Sequence, residues 1–269
     1  MIVVKIGIIV IGLLAACFVV RRLTRRRRRE RLMTLPFPEE WREVVEKNVP
    51  LYRRLPDDVK AQLHGLVHVF LAEKRFEGCG GLEITDEIRV TIAAQACMLL
   101  LNRQARYFAK LKTILVYPHT YVAKSISSDG RIVVDEDSVR LGESWQNGPV
   151  VLAWDSVTGG TSNVYDARNV VLHEFAHQLD QENGTADGAP ILSARSRYVA
   201  WARVLGAEYE AMQKRRRSVM DRYGATNPAE FFAVATETFF EKPRQMQKRH
   251  PELYDELREY YQLDPVTWL

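Results

Sequence analysis

The pattern of apolar and polar positions divides the chain into an apolar N-terminal run, a helical part, a middle with strand character and a second helical part. After Pro36-Phe37-Pro38, apolar residues recur three and four positions apart, which predicts amphipathic helices. Glu39 and Glu40 open the first of them, because acids stabilise the first turn of a helix. Further helices are predicted at about 56–74, 85–108, 166–181, 193–220, 228–241 and 251–262.

Three runs in the middle of the chain have strand character. They are Thr113–Tyr117, closed by Pro118; Ile132–Val134, after the turn Asp129-Gly130; and Pro149–Trp154, after Asn147-Gly148. Strands in the middle with helices on both sides predict an α+β fold rather than alternating βαβ units. We therefore expect a small mixed sheet flanked by helices.

The N-terminus has the composition of a membrane segment. From Ile2 to Val20 every residue except Lys5 is apolar or glycine, and roughly 20 such residues span a hydrocarbon core. Arginines follow this run, whereas an export signal carries its positive charge before it. We predict a transmembrane helix over residues 1–20, an arginine-rich juxtamembrane linker over 21–35 and a single folded domain over 36–269.

The arginines also set the predicted topology. The positive-inside rule makes this a single-pass protein of the inner (cytoplasmic) membrane with its domain in the cytoplasm, and the arginines suit anionic headgroups there. An alternative remains, because Leu14-Ala15-Ala16-Cys17 resembles a lipoprotein processing box. That reading anchors the chain through Cys17 on the far side of the membrane.

The charge distribution excludes a nucleic-acid-binding protein. The whole chain carries +4, but residues 1–31 alone carry +8, which leaves −4 for residues 32–269. An acidic body lacks the basic surface that duplex binding needs, so no direct nucleic acid binding is expected. The cysteines Cys17, Cys79 and Cys97 form no CxxC pair and predict no disulfide framework.

The stretch His173-Glu174-Phe175-Ala176-His177 carries the candidate chemistry. Two histidines four positions apart on a helix project from one face, so both can reach a single metal ion. A glutamate beside them can take a proton from the attacking water, as in the HExxH peptidases. The pattern predicts a Zn²⁺ site with Glu174 as general base, on a helix that Asp166 is placed to cap.

A second histidine pair shows whether i,i+4 spacing alone is enough to indicate a metal site. His64 and His68 also lie four positions apart, but Gly65 stands where the catalytic glutamate would be. We interpret these two histidines as partly exposed helix residues without a metal.

A hydrolytic zinc site needs a third protein ligand and an open position for water. The metzincin pattern is absent, since Asp180 and Asn183 replace the required glycine and histidine. Asp187 is one candidate for the third ligand. The helix that begins at Asn227-Pro228 offers three more, Glu230, Glu237 and Glu241, on one face.

Several blocks of residues 36–269 together resemble the Mlc titration factor A peptidases, small gluzincin-like zinc enzymes. The blocks are Gly80–Glu87, Ile92–Cys97, His173–Asp180 and Pro228–Phe240. The resemblance implies that the ligand glutamate falls on Glu237, that the activity is that of an aminopeptidase, and that a sugar-responsive transcriptional repressor is a partner. The hydrophobic anchor and the arginine run depart from the soluble family pattern.

Two supporting roles complete the hypothesis. Asp180 is placed to accept a hydrogen bond from a ligand imidazole, and Tyr223 to donate one to the oxyanion. The resulting prediction is a zinc-dependent peptidase that binds a peptide or protein substrate along the sheet edge near Trp154. The alternative is a membrane-tethered binding protein that sequesters a transcriptional regulator, but such a protein has no physical need for Glu174.

Overall fold

The computed structural model describes the backbone of the chain except at residues 1, 104–106, 127–131, 141, 145–147, 163–166, 215–217 and 269. Side chains are in addition not described at residues 2–11, 14, 121–126, 132–140, 142–144 and 161–162. The helices are α1 (Ile2–Met33), α2 (Glu39–Asn48), α3 (Pro50–Arg53), α4 (Asp57–Glu73), α5 (Asp86–Met98), α6 (Trp154–Ser162), α7 (Val170–Asp180), α8 (Arg197–Lys214), α9 (Pro228–Glu241), α10 (Pro243–Arg249) and α11 (Pro251–Tyr261). Short 3₁₀ turns cover Gln181–Asn183, Arg222–Ala225 and Pro265–Trp268.

The strands form a small mixed sheet and a separate hairpin. They are β1 (Arg75–Gly78), β2 (Thr113–Tyr117), β3 (Tyr121–Ile126), β4 (Ile132–Arg140), β5 (Gly142–Ser144) and β6 (Val150–Ala153). The sheet has the order β1-β2-β6-β5, in which β1, β2 and β6 are parallel and β5 is antiparallel. Strands β3 and β4 pair antiparallel in the hairpin. The predicted α+β class with a small mixed sheet is confirmed.

Strands β1, β3 and β5 were not predicted, and β1 changes the topology. Strand β1 has the sequence Arg-Phe-Glu-Gly, which is too short and too polar to stand out from the helix before it. Because β1 pairs parallel with β2 and α5 lies between them in the chain, these elements form a βαβ unit. The α+β fold thus contains one βαβ unit, while the prediction that such units do not alternate along the chain is confirmed.

The core lies where α4, α5, α7 and α9 pack together beside the sheet. Phe175 of α7 lies 5.6 Å from Phe70 of α4 and 4.9 Å from Phe108, measured between ring centroids. Every residue of α9 from Phe231 to Glu241 is buried. Two acids of α9, Glu237 and Glu241, are thus buried, and a buried carboxylate needs hydrogen-bond partners.

Helix α1 runs without a break from Ile2 through the predicted membrane segment and into the predicted linker as far as Met33. Its second half contacts the domain, since Arg25 and Arg29 both donate to the Glu73 carboxylate at distances of 2.6–3.2 Å. Within the part of the chain that the structure describes, no helix has the length and apolar character to cross a bilayer. The side chains at positions 2–11, where much of the predicted span falls, lie outside the described residues.

Three predicted helices differ in their bounds from the observed ones, and the one predicted over 193–220 is observed as Arg197–Lys214. The helix predicted over 85–108 ends at Met98. The helix predicted from residue 166 begins at Val170, with Asn169 as its cap, because Asn169 supplies a side-chain acceptor directly before the buried run. Asp166, the predicted cap, lies outside the described residues.

Candidate metal centre

Helix α7 presents the two histidines of the motif side by side. The helix starts where the Asn169 Oδ1 accepts a hydrogen bond from the backbone N–H of Leu172 at 3.0 Å. Its apolar residues are buried against the core, which leaves His173 and His177 on the opposite face. Their Nε2 atoms lie 3.2 Å apart, so both point to one place.

Glu230 meets the histidine pair from the first turn of α9. That helix begins with Asn227 as cap and Pro228 at its first position. The Glu230 Oε2 lies 3.0 Å from the His173 Nε2 and 3.4 Å from the His177 Nε2. In the described residues these three side chains are the group whose ligand atoms lie within 4.8 Å of one another. Two imidazole nitrogens and one carboxylate oxygen form a donor set that fits Zn²⁺.

Glu237 contacts the opposite side of the same imidazole. Its Oε1 lies 2.7 Å from the His173 Nδ1, and its Oε2 accepts a hydrogen bond from the backbone N–H of Asn169 at 2.6 Å. Residues seven apart in a helix lie ~10 Å apart along its axis, and the His173 ring fills the space between Glu230 and Glu237. Of the two acids, the structure brings Glu230, not Glu237, to the Nε2 atoms.

The Glu237 contact selects the tautomer of His173. A carboxylate accepts a hydrogen bond from Nδ1–H, so the neutral imidazole keeps its lone pair at Nε2, where Glu230 and His177 lie. Burial lowers the pKa of His173, but Glu237 and Glu230 raise it by more, so the pKa lies well above its ordinary value. The imidazole is therefore held in an environment that stabilises positive charge.

Glu174 is buried next to the histidine pair. Only 4% of its surface is exposed, and its Oε2 has no hydrogen-bond partner in the described part of the chain. Burial raises the pKa of its carboxyl group, which brings it closer to the value that suits a general base. A buried carboxylate oxygen without a protein partner can accept a proton from a water at the site.

Tyr223 lies at the open side of the site. It belongs to the 3₁₀ turn Arg222–Ala225, which Asp221 caps by accepting a hydrogen bond from the Tyr223 backbone N–H at 3.0 Å. The Tyr223 ring centroid lies 6.0 Å from that of His173, while 56% of the residue is exposed. This position allows the hydroxyl to contact a substrate bound at the histidines.

The remaining sequence candidates lie elsewhere. Asp180 accepts a hydrogen bond from the backbone N–H of Gly188 at 2.8 Å and so fixes the loop after α7. Asp187 accepts one from the Ala189 N–H in the same loop at 3.2 Å. Glu241, the third acid on the face of α9, is buried, because the end of α9 packs onto the start of α7. Its Oε1 accepts from the Asn169 Nδ2 at 3.2 Å.

Comparison with known proteins places this site in a family. The model of the glucose-regulated metallo-peptidase M90 family matches residues 23–262, a range that includes His173, Glu174, His177 and Glu230. This chain belongs to that family. The resemblance to the Mlc titration factor A peptidases is confirmed by the same match and by the relatives below.

Three relatives cover most of the chain. An uncharacterized protein of Synechocystis sp. is 41% identical over 245 residues, 89% of each chain. Mlc titration factor A of Escherichia coli is 32% identical over 239 residues, 85% of this chain and 88% of its own. Mlc titration factor A of Yersinia pestis is 31% identical over 238 residues, 86% of each chain. The M90 similarity therefore concerns nearly the whole protein, including part of α1.

Asn169 is the residue at this site that sequence reasoning missed. It caps α7 and also contacts both buried acids of α9. The signal was an asparagine four positions before the first histidine, a spacing that places a helix cap directly beneath that histidine.

Proposed function

We propose that this chain is a zinc-dependent peptidase in which His173, His177 and Glu230 hold the metal and Glu174 is the general base. The observation that carries this proposal is the convergence of two Nε2 atoms from α7 and one Oε2 atom from α9. Membership of the M90 metallopeptidase family supports it. The third ligand is thus assigned to Glu230 instead of Glu237.

The assignment of Glu230 follows from which imidazole nitrogen each acid faces. Glu230 faces the Nε2 atoms of both histidines, whereas Glu237 faces the Nδ1 of His173 alone. A histidine ligand commonly donates its other ring N–H to a carboxylate, which orients the ring and increases its basicity. Glu237 has that position, so we assign it to orienting His173.

Each residue of the proposed site has its own role in peptide hydrolysis. Zinc, when bound, supplies a Lewis acid that polarises a carbonyl and makes water more acidic. The Glu174 carboxylate takes a proton from the attacking water and passes it to the leaving amine. The Tyr223 hydroxyl donates a hydrogen bond to the oxygen that becomes negative during attack. Trp154 is half-buried at the start of α6 and follows β6, an inner strand of the sheet, so the sheet edge that was predicted near Trp154 for the peptide is at β5 instead.

The substrate class rests on the family resemblance. We propose cleavage at the N-terminus of peptides, as an aminopeptidase does. The name Mlc titration factor A, carried by two relatives, supports the proposal that a transcriptional repressor is a partner. Peptides with free and with acetylated N-termini test the first point, since an aminopeptidase cleaves only the free ones.

We also propose that α1 tethers the protein to the inner membrane, with the domain in the cytoplasm. The apolar run Ile2–Val20 and the arginines after it support this topology. Protease added to spheroplasts should leave the domain intact until the membrane is permeabilised. Digestion from outside, or a lipid on Cys17, would instead support the lipoprotein arrangement.

The ligand set is tested by measuring bound zinc after equal dialysis of Glu230→Ala and Glu237→Ala. Loss of a direct ligand should weaken zinc binding by more than the ~10–100-fold that loss of a supporting acid costs. Glu210→Ala removes an exposed acid of α8, away from the histidines, and is the control. Near-stoichiometric zinc in Glu230→Ala, with loss in Glu237→Ala, would overturn the assignment and restore Glu237 as the ligand.

A further inference from the structure

Three residues around the first histidine form a closed ring of hydrogen bonds. The Asn169 carbonyl accepts from the backbone N–H of His173 at 2.9 Å. The Asn169 N–H donates to the Glu237 Oε2 at 2.6 Å, and the Glu237 Oε1 lies 2.7 Å from the His173 Nδ1. The backbone of Asn169 and the imidazole of His173 are therefore held by the same carboxylate.

The Asn169 side chain fixes the backbone that takes part in this ring. Its Oδ1 accepts from the Leu172 N–H at 3.0 Å, and its Nδ2 donates to the Glu241 Oε1 at 3.2 Å. The side chain is 3% exposed, so these bonds are shielded from water. One bond ties it to α7 and the other to α9, the two helices that carry the histidines and Glu230.

We infer that Asn169 is a positioning residue, which sets the His173 imidazole by presenting its backbone N–H to Glu237 and by tying Glu241 to the start of α7. This inference rests on the proposed zinc site. Asn169 itself touches neither substrate nor metal. Its effect reaches the site through Glu237, because that carboxylate is shared between the Asn169 N–H and the His173 ring.

A residue that only caps a helix should not affect zinc binding when it is replaced. Thr85 is such a residue and serves as the control for Asn169. Thr85 caps α5 by accepting a hydrogen bond from the Ile88 N–H at 3.3 Å. Replacing either cap residue by alanine removes a helix cap and so destabilises the protein. Only Asn169→Ala also removes a side-chain hydrogen bond to α9, the one to Glu241.

The experiment measures zinc affinity by competition with a chromophoric chelator in the full chain, for the wild type, Asn169→Ala, Asn169→Ser and Thr85→Ala. The visible spectrum of the Co²⁺-substituted proteins reports ligand geometry independently of activity. Asn169→Ser keeps a capping oxygen but has no amide donor for Glu241. We expect both Asn169 variants to bind zinc ~10–100-fold more weakly with an altered Co²⁺ spectrum, and Thr85→Ala to match the wild type in both.

A double-mutant cycle with Glu237→Gln identifies the route of the effect. If Asn169 acts through Glu237, the losses of zinc affinity in the two single variants will not add in the double variant. Additive losses, or wild-type affinity and spectrum in Asn169→Ser, would overturn the inference. Failure of the wild type to bind zinc would instead contradict the proposed function, so the two outcomes are distinguishable.

Discussion

Two histidine pairs in this protein have the same spacing and opposite surroundings. His173 and His177 of α7 face the Glu230 carboxylate, and Glu237 contacts His173 from behind. His64 of α4 stacks on Phe37 with ring centroids 3.9 Å apart and hydrogen-bonds the Tyr52 hydroxyl at 2.9 Å. In the described part of the chain, acids converge on the first pair and aromatic rings surround the second.

The second pair shows that spacing fixes geometry and not chemistry. His68 was expected to be partly exposed, but it is buried at 9% exposure, because the segment before α2 folds over it. Its Nε2 contacts the Pro36 carbonyl at 3.2 Å, so that nitrogen donates and offers no lone pair to a metal. Burial lowers the pKa of His64 to about 4, whereas the acids around His173 raise its pKa.

The largest expected effect is the loss of turnover when Glu174, the proposed general base beside the first histidine pair, is replaced. Glu174→Gln keeps the size of the side chain and leaves the three proposed ligands unchanged, but the amide cannot accept the proton. Turnover should fall by ~10²–10⁴-fold while bound zinc stays at the wild-type level. Peptidase assays with parallel metal analysis check this, and wild-type turnover in the variant would contradict the role of Glu174.

A second prediction separates the two pairs by metal content. His177→Ala removes a proposed ligand and should weaken zinc binding by more than the ~10–100-fold that loss of a supporting residue costs. His68→Gln removes the equivalent histidine of the other pair and should leave zinc content unchanged. Metal analysis after equal dialysis decides, and zinc loss in His68→Gln would show that the α4 pair also binds metal.

The sequence predicted the elements that have strong local signals. Periodicity gave the helices around the site, and the i,i+4 spacing with a following glutamate gave His173, Glu174 and His177. It did not distinguish Glu230 from Glu237, because both lie on one face of α9. Their roles depend on how α9 crosses α7, which decides whether each acid faces Nε2 or Nδ1 of His173, and no local pattern encodes that crossing.

Gly65, beside the second histidine pair, is another residue whose role depends on a contact that no local sequence pattern encodes. In the sequence, Gly65 showed that the pair His64 and His68 lacks the catalytic glutamate. The structure gives a steric reason why the residue at this position is glycine. A Cβ atom at Gly65 would lie 2.8 Å from the Met33 carbonyl oxygen and 2.9 Å from its Sδ, since the end of α1 packs against α4 there. The contact joins residues far apart in sequence and leaves no periodic trace.

The third prediction tests this contact. Alanine stabilises a helix by ~1 kcal/mol relative to glycine. If Gly65 lay on a solvent-exposed face, Gly65→Ala would therefore stabilise α4. Here the added methyl group must displace the end of α1, and overpacking of this kind costs ~1–3 kcal/mol. We expect a net loss in the free energy of unfolding, measured by urea denaturation, while zinc content is unchanged. Gly206→Ala in α8, where a Cβ meets nothing within 4 Å, is the matched control and should be neutral or stabilising.

The smallest expected effect is on the pH dependence of the free energy of unfolding, through His64 of the second pair. Burial, with Arg42, His68 and Lys60 adding to it, lowers the pKa of His64 from 6.5 to about 4. Between these values the unfolded chain binds a proton at His64 and the folded protein does not. The stability contributed by the neutral ring is therefore complete above pH 6.5, falls as the pH drops toward 4, and changes no further below that.

This window is isolated by comparing the wild type with His64→Phe, which keeps a ring on Phe37 but does not titrate. Because the ring is only partly buried, the difference between the two unfolding free energies should change by a fraction of the ~1.4 kcal/mol per pH unit that a fully shielded proton gives. Urea denaturation at several pH values from 4 to 7 measures it. The wild type should lose stability relative to His64→Phe as the pH falls. A difference that is constant over this range would mean that the His64 ring titrates as it does in water, and the contrast between the two histidine pairs would then rest on their contacts alone.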